Sequence, residues 1–301
     1  MKCIVTGGLG FIGSTLTDKL IDEGHKVTVI DDMSADTHEH FYFNKLSEVV
    51  VESVQNYDRI REHFNDVDVV FHLAAESRIQ PCVENPMAAV VANTLGTCSV
   101  LQAARSADVK RVVYSSTSAS YGEANTAPFN ELMCVDCLNP YSITKVAGEQ
   151  LAKIYYQLYG LETVTFRYFN VYGERQPLKG QYAPVVGLFD RQHARGLPMT
   201  IVGDGLQTRD FTYVGDVVDA NILAATVSDQ RMFGEVFNIG TGNSISVMDL
   251  AEMIGGKDPY IKYIPERPGE LRHAKADNSK AREILGWEPK TKIQDWINAQ
   301  K

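Results

Sequence analysis

The chain opens with the stretch KCIVTGGLGFIG at residues 2–13, and this stretch decides the fold. Five mostly apolar residues of strand character are followed by Gly8, Gly10 and Gly13 in a Gly-x-Gly-x-x-Gly pattern, and an apolar helical pattern begins at Phe11. In this context the glycines allow a tight turn, close approach of the backbone to a pyrophosphate, and packing of the helix on the strand. The helix N-terminus then faces the phosphates. The stretch predicts the first unit of a dinucleotide-binding domain.

The pattern that starts here continues through the first half of the chain. Further apolar, β-branched runs typical of strands buried on both faces lie at 26–31, 67–73, 110–116 and 163–169. Helical patterns lie between them, at 11–23, 56–64, 86–107 and 140–159. Alternation of strand and helix predicts an α/β fold of the Rossmann type, with a doubly wound parallel sheet.

The alternation stops after about Tyr168, where loops rich in glycine and proline take over. Short strands are predicted at 200–202 and 236–239, and helices at 184–195 and 247–254. We expect a smaller C-terminal α/β substrate lobe at 169–301 beside a dinucleotide-binding domain at 1–168, with about 204–230 returning to the first domain. A cleft at the carboxyl ends of the sheet strands is the expected binding site.

Composition limits the partners. The 301 residues are 44% hydrophobic and carry a formal charge of −9, which disfavours nucleic acid and anionic membranes as partners. We expect no signal peptide and no apolar run near the ~20 residues that span a bilayer. The number of cysteines is odd, and their spacing is not that of a disulfide framework. This indicates a reducing, cytoplasmic setting. The cysteines are Cys3, Cys82, Cys98, Cys134 and Cys137. The last two make only half a zinc site, so no metal is expected.

Asp31 and Asp32 end the second predicted strand, roughly 20 residues after the glycine turn. An acid at this place accepts hydrogen bonds from the adenosine ribose hydroxyls of a dinucleotide. Because Asp31 would repel a 2′-phosphate, the sequence favours NAD over NADP.

Tyr141 and Lys145 are four residues apart in a predicted helix and therefore share one face. An ammonium beside a phenol favours the phenolate, so we expect Lys145 to lower the pKa of Tyr141 and make it a base near neutral pH. The same spacing also occurs in ordinary surface pairs. The hydroxyls at 115–118 favour the catalytic interpretation, because they lie at the carboxyl edge of the same sheet.

Taken together, these segments resemble the extended short-chain dehydrogenases that act on nucleotide sugars, most closely the UDP-glucose and UDP-N-acetylglucosamine 4-epimerases. The resemblance covers nearly the whole chain. It is carried by the segments 6–13, 72–75, 93–97, 115–122, 141–145, 167–173, 208–211 and 267–270.

The resemblance implies a role for individual residues. Tyr141 is the implied acid and base, Lys145 tunes it and holds the nicotinamide ribose, and Thr117 is the third catalytic hydroxyl. The implied NAD contacts are Gly7, Gly10, Phe11, Ile12, Gly13, Asp31, Asp32, Ser53, Leu73, Ala74, Ala75, Asn93 and Ser115, with Tyr141 and Lys145. The implied UDP-sugar contacts are Ser77, Thr117, Tyr141, Asn170, Arg209, Arg267, Glu270 and Ala274. A homodimer through helices 86–107 and 140–159 is implied as well.

The implied reaction is NAD-dependent 4-epimerisation of a UDP-hexose through a transient 4-keto sugar. The related 4,6-dehydratases carry Asp-Glu just after the catalytic hydroxyl, and the related decarboxylases carry a Glu. Here Ser118 and Ala119 stand at those positions, which favours epimerisation. A dehydratase, a decarboxylase, a reductase and a non-catalytic NAD-binding regulator remain alternatives.

The sugar pocket depends on one position. An ungapped count from Arg267 puts the small Ala274 against the sugar C2 substituent, so we expect N-acetyl sugars to be accepted. An offset of one residue would put His273 or Lys275 there.

Overall fold

Seven parallel strands form the central sheet of the protein. A computed structural model describes residues 1–35, 40–178 and 183–300. The strands of the sheet are β1 (Lys2–Thr6), β2 (Lys26–Asp31), β3 (Glu48–Val51), β4 (Val69–His72), β5 (Arg111–Thr117), β6 (Glu162–Tyr168) and β11 (Glu235–Ile239). Their order is β3-β2-β1-β4-β5-β6-β11. The predicted doubly wound sheet is therefore confirmed, with its switch point between β1 and β4.

Six short strands complete the strand set of the described residues. They are β7 (Val171–Tyr172), β8 (Met199–Val202), β9 (Thr208–Asp210), β10 (Thr212–Tyr213), β12 (Ser244–Ser246) and β13 (Ile261–Ile264). They pair two by two, as β7 with β10, β8 with β13 and β9 with β12. The last two pairs belong to the C-terminal lobe.

Helices cover both faces of the central sheet. They are α1 (Phe11–Asp22), α2 (Tyr57–Ile60), α3 (Ile79–Glu84), α4 (Pro86–Ala89), α5 (Gly96–Ser106), α6 (Pro140–Tyr159), α7 (Val185–Ala194), α8 (Val214–Thr226), α9 (Val247–Gly255) and α10 (Ile293–Gln300). A 3-10 turn at Arg61–Phe64 extends α2, and a π-helical turn at Val90–Leu95 joins α4 to α5. Further single turns lie at Ser118–Ser120, Gln230–Met232 and Ala281–Leu285.

Helix α6 carries the predicted catalytic pair, and local sequence fixes both of its ends. The Asn139 side chain accepts a hydrogen bond from the backbone N–H of Ser142 at 2.9 Å, and Pro140 occupies the first turn. Gly160 ends the helix in the left-handed conformation, with φ at 72°. The position of Tyr141 in the first turn of the helix is thereby set.

The C-terminal half of the chain contributes to the first domain more than the sequence predicted. Strand 236–239 was expected in the smaller lobe, but β11 pairs with β6 in the central sheet. Helix α8 packs against α1, and Val217, Ala220 and Phe237 join the core on that face. The placement of this strand in the lobe was wrong because its pairing partner lies some 70 residues away, beyond the reach of local pattern. The domain boundary near 168 stays a prediction.

The continuous helix Pro86–Ser106 corrects the expectation that no apolar segment is long enough to span a bilayer. By length and composition its 21 residues could cross a membrane, although no apolar run of that length was expected. Half of the apolar window is buried in the protein, and the helix packs against α6 and the sheet. The buried polar residues Asn93 and Thr97 belong to it. These are properties of a core helix.

The glycine turn generates a prediction about stability. A Cβ at position 13 would overlap the carbonyl oxygen of Gly7, which is backbone and has no room to move. We expect Gly13→Ala to lower the free energy of unfolding by about 2 kcal/mol or more. Chemical denaturation measures it, with Lys19→Ala on the exposed face of α1 as the control. A Gly13→Ala protein as stable as the control would contradict this packing.

Candidate active site

A cleft of about 1030 Å³ lies at the carboxyl ends of the central strands, against the C-terminal lobe. It is lined by all but one of the predicted site residues: Gly7, Gly10, Phe11, Ile12, Gly13, Asp31, Asp32, Ser53, Leu73, Ala74, Ala75, Ser77, Ser115, Thr117, Tyr141, Lys145, Asn170, Arg209, Arg267, Glu270 and Ala274. The exception is Asn93. The structure thus gathers residues from nearly the whole length of the chain into one cavity.

The glycine turn forms one end of the cleft. Gly7 has a φ of 69°, and a Cβ there would stand 2.8 Å from the backbone nitrogen of Ala74, so glycine is required. Gly10 is the N-cap of α1 and gives it no side-chain cap. The first N–H groups of the helix therefore face the cleft without a capping side chain, as suits a phosphate ligand.

Asp31 is held at the rim by the turn itself. Its carboxylate accepts hydrogen bonds from the backbone N–H of Leu9 at 3.0 Å and of Met33 at 2.8 Å. These two bonds fix the carboxylate at the rim of the cleft, which it lines. Beside it, Asp32 accepts from the backbone and hydroxyl of Ser34.

A buried histidine organises the segment after β4. Thr97 donates to the carbonyl of Asn93, so its oxygen accepts from Nε2–H of His72, at 2.9 Å. The Nδ1 atom of His72 then accepts from the Thr6 hydroxyl, at 2.7 Å. Burial and the nearby charge of Lys145 lower the pKa of His72 to about 3, which keeps the ring neutral. The histidine is thereby a structural residue.

Asn93 supports the cleft from behind. It is fully buried, its Oδ1 accepts from the backbone N–H of Glu76 at 2.8 Å, and its Nδ2 donates to the Glu76 carbonyl and the Thr144 hydroxyl. Asn93 does not line the cleft and its amide bonds are made within the protein, so its contact with the cofactor stays a prediction. It ties the cleft segment after β4 to α6.

The predicted catalytic residues converge. Thr117 ends β5, while Tyr141 and Lys145 occupy successive turns of α6. The Lys145 ammonium lies 4.6 Å from the centre of the Tyr114 ring, and the side chain is only 3% exposed. Thr117 and Tyr141 are hydrogen-bonded to each other, and the hydroxyl, the phenol and the amine all line the cleft.

The expected lowering of the Tyr141 pKa is wrong. Burial raises the pKa of Tyr141 to about 12, and the hydrogen bond with Thr117 offsets this only in part. Burial also lowers the pKa of Lys145 to about 7, so this amine is only partly charged near neutral pH. Helical spacing predicted the proximity of the two groups but not their burial, which penalises both charged forms.

The far end of the cleft is positively charged and belongs to the C-terminal lobe. Arg209 lies 3.9 Å from Glu270, and Arg267 lies 3.7 Å from the same carboxylate. Arg209 is oriented by hydrogen bonds to the backbone carbonyls of Thr208 and Arg272. Burial lowers the pKa of Arg209, and Glu270 opposes that shift. Two guanidinium groups around one carboxylate form a site suited to phosphate oxygens.

The structure shows which of the three candidate residues for the sugar pocket lines the cleft. Ala274 is 2% exposed and lines the cleft. His273 turns its ring to the Thr208 hydroxyl, and the Lys275 carbonyl accepts from the backbone N–H of Phe129. The ungapped count therefore gives the cleft-lining residue of the three.

Sequence reasoning missed the polar groups behind the catalytic residues. Glu149 and Arg167 form a buried ion pair, with Nη2 to Oε2 at 2.7 Å. The sequence signal that could have identified Glu149 is its spacing: Tyr141, Lys145 and Glu149 follow one another at intervals of four residues and share one face of α6. Glu76, in the segment after β4, also lines the cleft and was not considered.

Comparison with known proteins agrees with this site. The family model for GDP-mannose 4,6 dehydratase matches residues 4–300. A putative UDP-glucose 4-epimerase of Methanocaldococcus jannaschii is 38% identical over 98% of this chain and 95% of its own. Other matching relatives are named as decarboxylases.

Solved structures of UDP-glucose 4-epimerases superpose on nearly the whole chain. The Thermotoga maritima UDP-glucose 4-epimerase, crystallised with UDP-glucose, superposes with a TM-score of 0.91 at 35% identity and covers 99% of this chain and 96% of its own. The Thermus thermophilus UDP-glucose 4-epimerase, crystallised with NAD, superposes with a TM-score of 0.88 at 32% identity and covers 99% and 96%.

The fold and the cleft define a Rossmann-type nucleotide-binding protein with a tyrosine and a lysine of α6 in the wall of its cleft. The chain belongs to the GDP-mannose 4,6 dehydratase family of extended short-chain dehydrogenases, as the resemblance predicted.

Proposed function

We propose that this protein is an NAD-dependent isomerase that interconverts the C4 epimers of a UDP-hexose. The observation that carries the proposal is the single cleft that joins a glycine turn, the Thr117, Tyr141 and Lys145 group, and a two-arginine site. Nucleotide-sugar oxidation needs these three parts in this order along the cleft. The names of the similar proteins support the same reaction.

The cofactor is NAD, and the cleft suits it. The uncapped N-terminus of α1 and the Gly7 turn would hold the pyrophosphate, Asp31 the adenosine ribose and Ser53 the adenine end. The fixed negative charge of Asp31 at the ribose disfavours a 2′-phosphate. When bound, NAD supplies a reversible hydride acceptor for the sugar C4 position.

The chain's own residues handle the proton. The Tyr141 oxygen takes the proton of the sugar 4-hydroxyl as C4 is oxidised, and Thr117 donates a hydrogen bond to the same sugar oxygen. The 4-keto sugar then turns over, and Tyr141 returns the proton to that oxygen as C4 is reduced on its other face. In its ammonium form, Lys145 would act against the burial that raises the pKa of Tyr141 and would favour the phenolate.

The two-arginine site would hold the diphosphate. Arg209 and Arg267 present planar donors suited to paired phosphate oxygens, and Asn170 lines the same stretch of cleft. Glu270, between the arginines, would then turn to the uridine ribose. Holding the nucleotide here leaves the hexose free to rotate at the other end.

One observation favours a second candidate, 4,6-dehydration. This reaction needs a base that removes the C5 proton, and Ser118 and Ala119 provide none. Glu76, however, lines the cleft from the segment after β4. Turnover in deuterated water separates the two reactions, because dehydration exchanges the C5 hydrogen with solvent and epimerisation leaves it in place.

The test of the proposed reaction is loss of activity in Tyr141→Phe. Removing the phenolic oxygen should lower kcat for UDP-glucose and UDP-galactose interconversion by about 10³-fold, because the proton transfer is lost. Tyr159→Phe, at the exposed end of the same helix, is the matched control. NMR of the sugar products measures both rates. Full-rate turnover by Tyr141→Phe would overturn the mechanism, and deuterium at C5 would favour dehydration by Glu76.

We propose further that the pocket accepts N-acetyl sugars, because the residue that lines it at position 274 is alanine. Ala274→Tyr should lower kcat/KM for UDP-N-acetylglucosamine at least tenfold while UDP-glucose turnover is largely kept, because the ring fills the space beside C2. The ratio of the two substrates in one preparation is the measurement. Equal loss for both substrates would contradict the assignment.

The protein is further proposed to be a homodimer in a reducing, cytoplasmic compartment. Large apolar side chains are exposed on the outer face of helices α4 to α6, among them Met87 (68%), Leu95 (50%), Ile143 (56%) and Leu158 (66%). An apolar face of this size indicates association. The five free cysteines suit a reducing setting.

Ile143→Glu tests this dimer. A carboxylate in the centre of the apolar face should convert the protein to a monomer, because an unpaired charge is costly in an interface. Sedimentation velocity measures the mass, and Lys153→Glu on a polar part of α6 is the control. The dimer proposal fails if wild-type protein is already monomeric at micromolar concentration.

A further inference from the structure

A buried polar cluster of Glu149, Arg167 and Ser116 adjoins the catalytic residues, and of these three only Ser116 lines the cleft. Glu149 is 2% exposed and Arg167 is 4% exposed. The Oε1 atom of Glu149 accepts from Nε of Arg167 at 2.9 Å and from the Ser116 hydroxyl at 2.5 Å, and Oε2 accepts from Nη2 of Arg167 at 2.7 Å. The Arg167 guanidinium also lies 4.7 Å from the centre of the Tyr121 ring.

The cluster connects the elements that carry the catalytic groups. Glu149 lies on α6 one turn after Lys145, and Ser116 directly precedes Thr117 on β5. Ser116 and Arg167 are register partners in the pairing of β5 with β6. The ion pair therefore fixes α6 on the sheet one turn beyond the site of chemistry.

The groups that other elements of the fold place next to Lys145 are uncharged. His72 on β4 is neutral, Tyr114 on β5 presents a ring face, and burial raises the pKa of the Cys82 thiol on α3 to about 11. From its own helix, Lys145 faces Tyr141 and Glu149, and from β6 the guanidinium of Arg167 lies beyond Glu149. Burial lowers the pKa of Lys145, and the Glu149 carboxylate is the largest influence in the opposite direction.

Arg167 is the ion-pair partner of Glu149. Burial disfavours the charged guanidinium of Arg167, but the Glu149 carboxylate more than offsets this and raises the Arg167 pKa above its ordinary value. Because both carboxylate oxygens are occupied by donors, Glu149 cannot act as a base toward substrate. Its negative charge nevertheless acts over the one helical turn to Lys145.

We propose that Glu149 is a positioning residue for the reaction, whose buried carboxylate keeps Lys145 an ammonium while its bonds to Ser116 and Arg167 fix α6 against β5. This deepens the proposed function and rests on it, because the ammonium form of Lys145 acts against the burial that disfavours the phenolate of Tyr141. Glu149 itself touches neither substrate nor cofactor.

Competitive acetylation of Lys145, followed by mass spectrometry, tests the electrostatic part without any substrate. Acetic anhydride is small and Lys145 lines the cleft, so the extent of labelling against pH reports the titration of this amine. Removing a nearby negative charge disfavours the ammonium form. The midpoint of the labelling curve in Glu149→Gln should therefore move to lower pH by about one unit. Ser116→Ala keeps the carboxylate, and its midpoint should stay where the wild type has it.

Two further variants keep the test decisive if Glu149→Gln folds poorly because Arg167 is left unpaired. Glu149→Asp keeps the charge and should keep the wild-type midpoint. The double variant Glu149→Gln with Arg167→Gln leaves no buried charge unpaired, and its midpoint should still move to lower pH. A wild-type midpoint in the double variant would overturn the proposal and leave the cluster a purely structural role.

The pH dependence of turnover is the second readout. If activity needs the ammonium, it falls as pH rises through the Lys145 pKa, and in Glu149→Gln that fall should begin at lower pH. A uniform loss of kcat at every pH would contradict the electrostatic role. Absence of UDP-sugar turnover in wild-type protein would instead contradict the proposed reaction, and the labelling result would stand independently.

Discussion

The contact between α6 and the sheet through Glu149 and Arg167 is the constraint on which the rest of the molecule depends. Breaking a buried ion pair typically costs ~3–5 kcal/mol, a large part of the 5–15 kcal/mol that stabilises a domain. Arg167 stacks on Tyr121, whose hydroxyl donates to Asn238 of β11 at 2.6 Å. A single polar chain therefore runs from the catalytic helix to the strand that returns from the C-terminal half.

This arrangement explains how two distant halves of the sequence form one cleft. The returning β11 pairs with β6, and Asn238 also donates to the backbone carbonyls of Phe129 and Asp277. The segment that follows Tyr121 and the segment that follows Arg267 are thus tied to the same strand. The separation between the Thr117, Tyr141 and Lys145 group and the two arginines is therefore set by contacts to the sheet.

The sequence predicted helices and strands that are specified by their own residues. It did not predict features that depend on contacts between distant parts of the chain. Buried runs such as 110–116 and the capped helix at 140–159 carry their own periodicity and end markers, so they were found within about one residue. β11 is as apolar as its neighbours, but nothing within it specifies β6 as its partner. Asn93 was assigned to the cofactor because its place in the chain resembles the family pattern, whereas its contacts are made with Glu76 and Thr144.

The pKa of Tyr141 shows the same limit in chemical terms. Spacing on a helix fixes which groups are near each other, but the cost of ionising them depends on how much water the whole fold excludes. Here Lys145 is buried and Tyr141 is partly buried, so the phenol becomes a weaker acid and the lysine a weaker base. No local pattern measures that burial, because it arises from the packing of α3, α6 and the sheet together.

Burial and charge are opposed requirements at this site. Hydride transfer benefits from a cleft that excludes water, while proton transfer needs an ionised pair on its wall. A carboxylate placed in the cleft beside Lys145 would restore the charge, but it would also offer a second base to the sugar and invite the side reactions of the related dehydratases. Glu149 avoids this conflict because it lies behind the wall with its oxygens bonded to Arg167 and Ser116. Its charge reaches the lysine while its lone pairs stay out of reach of the substrate.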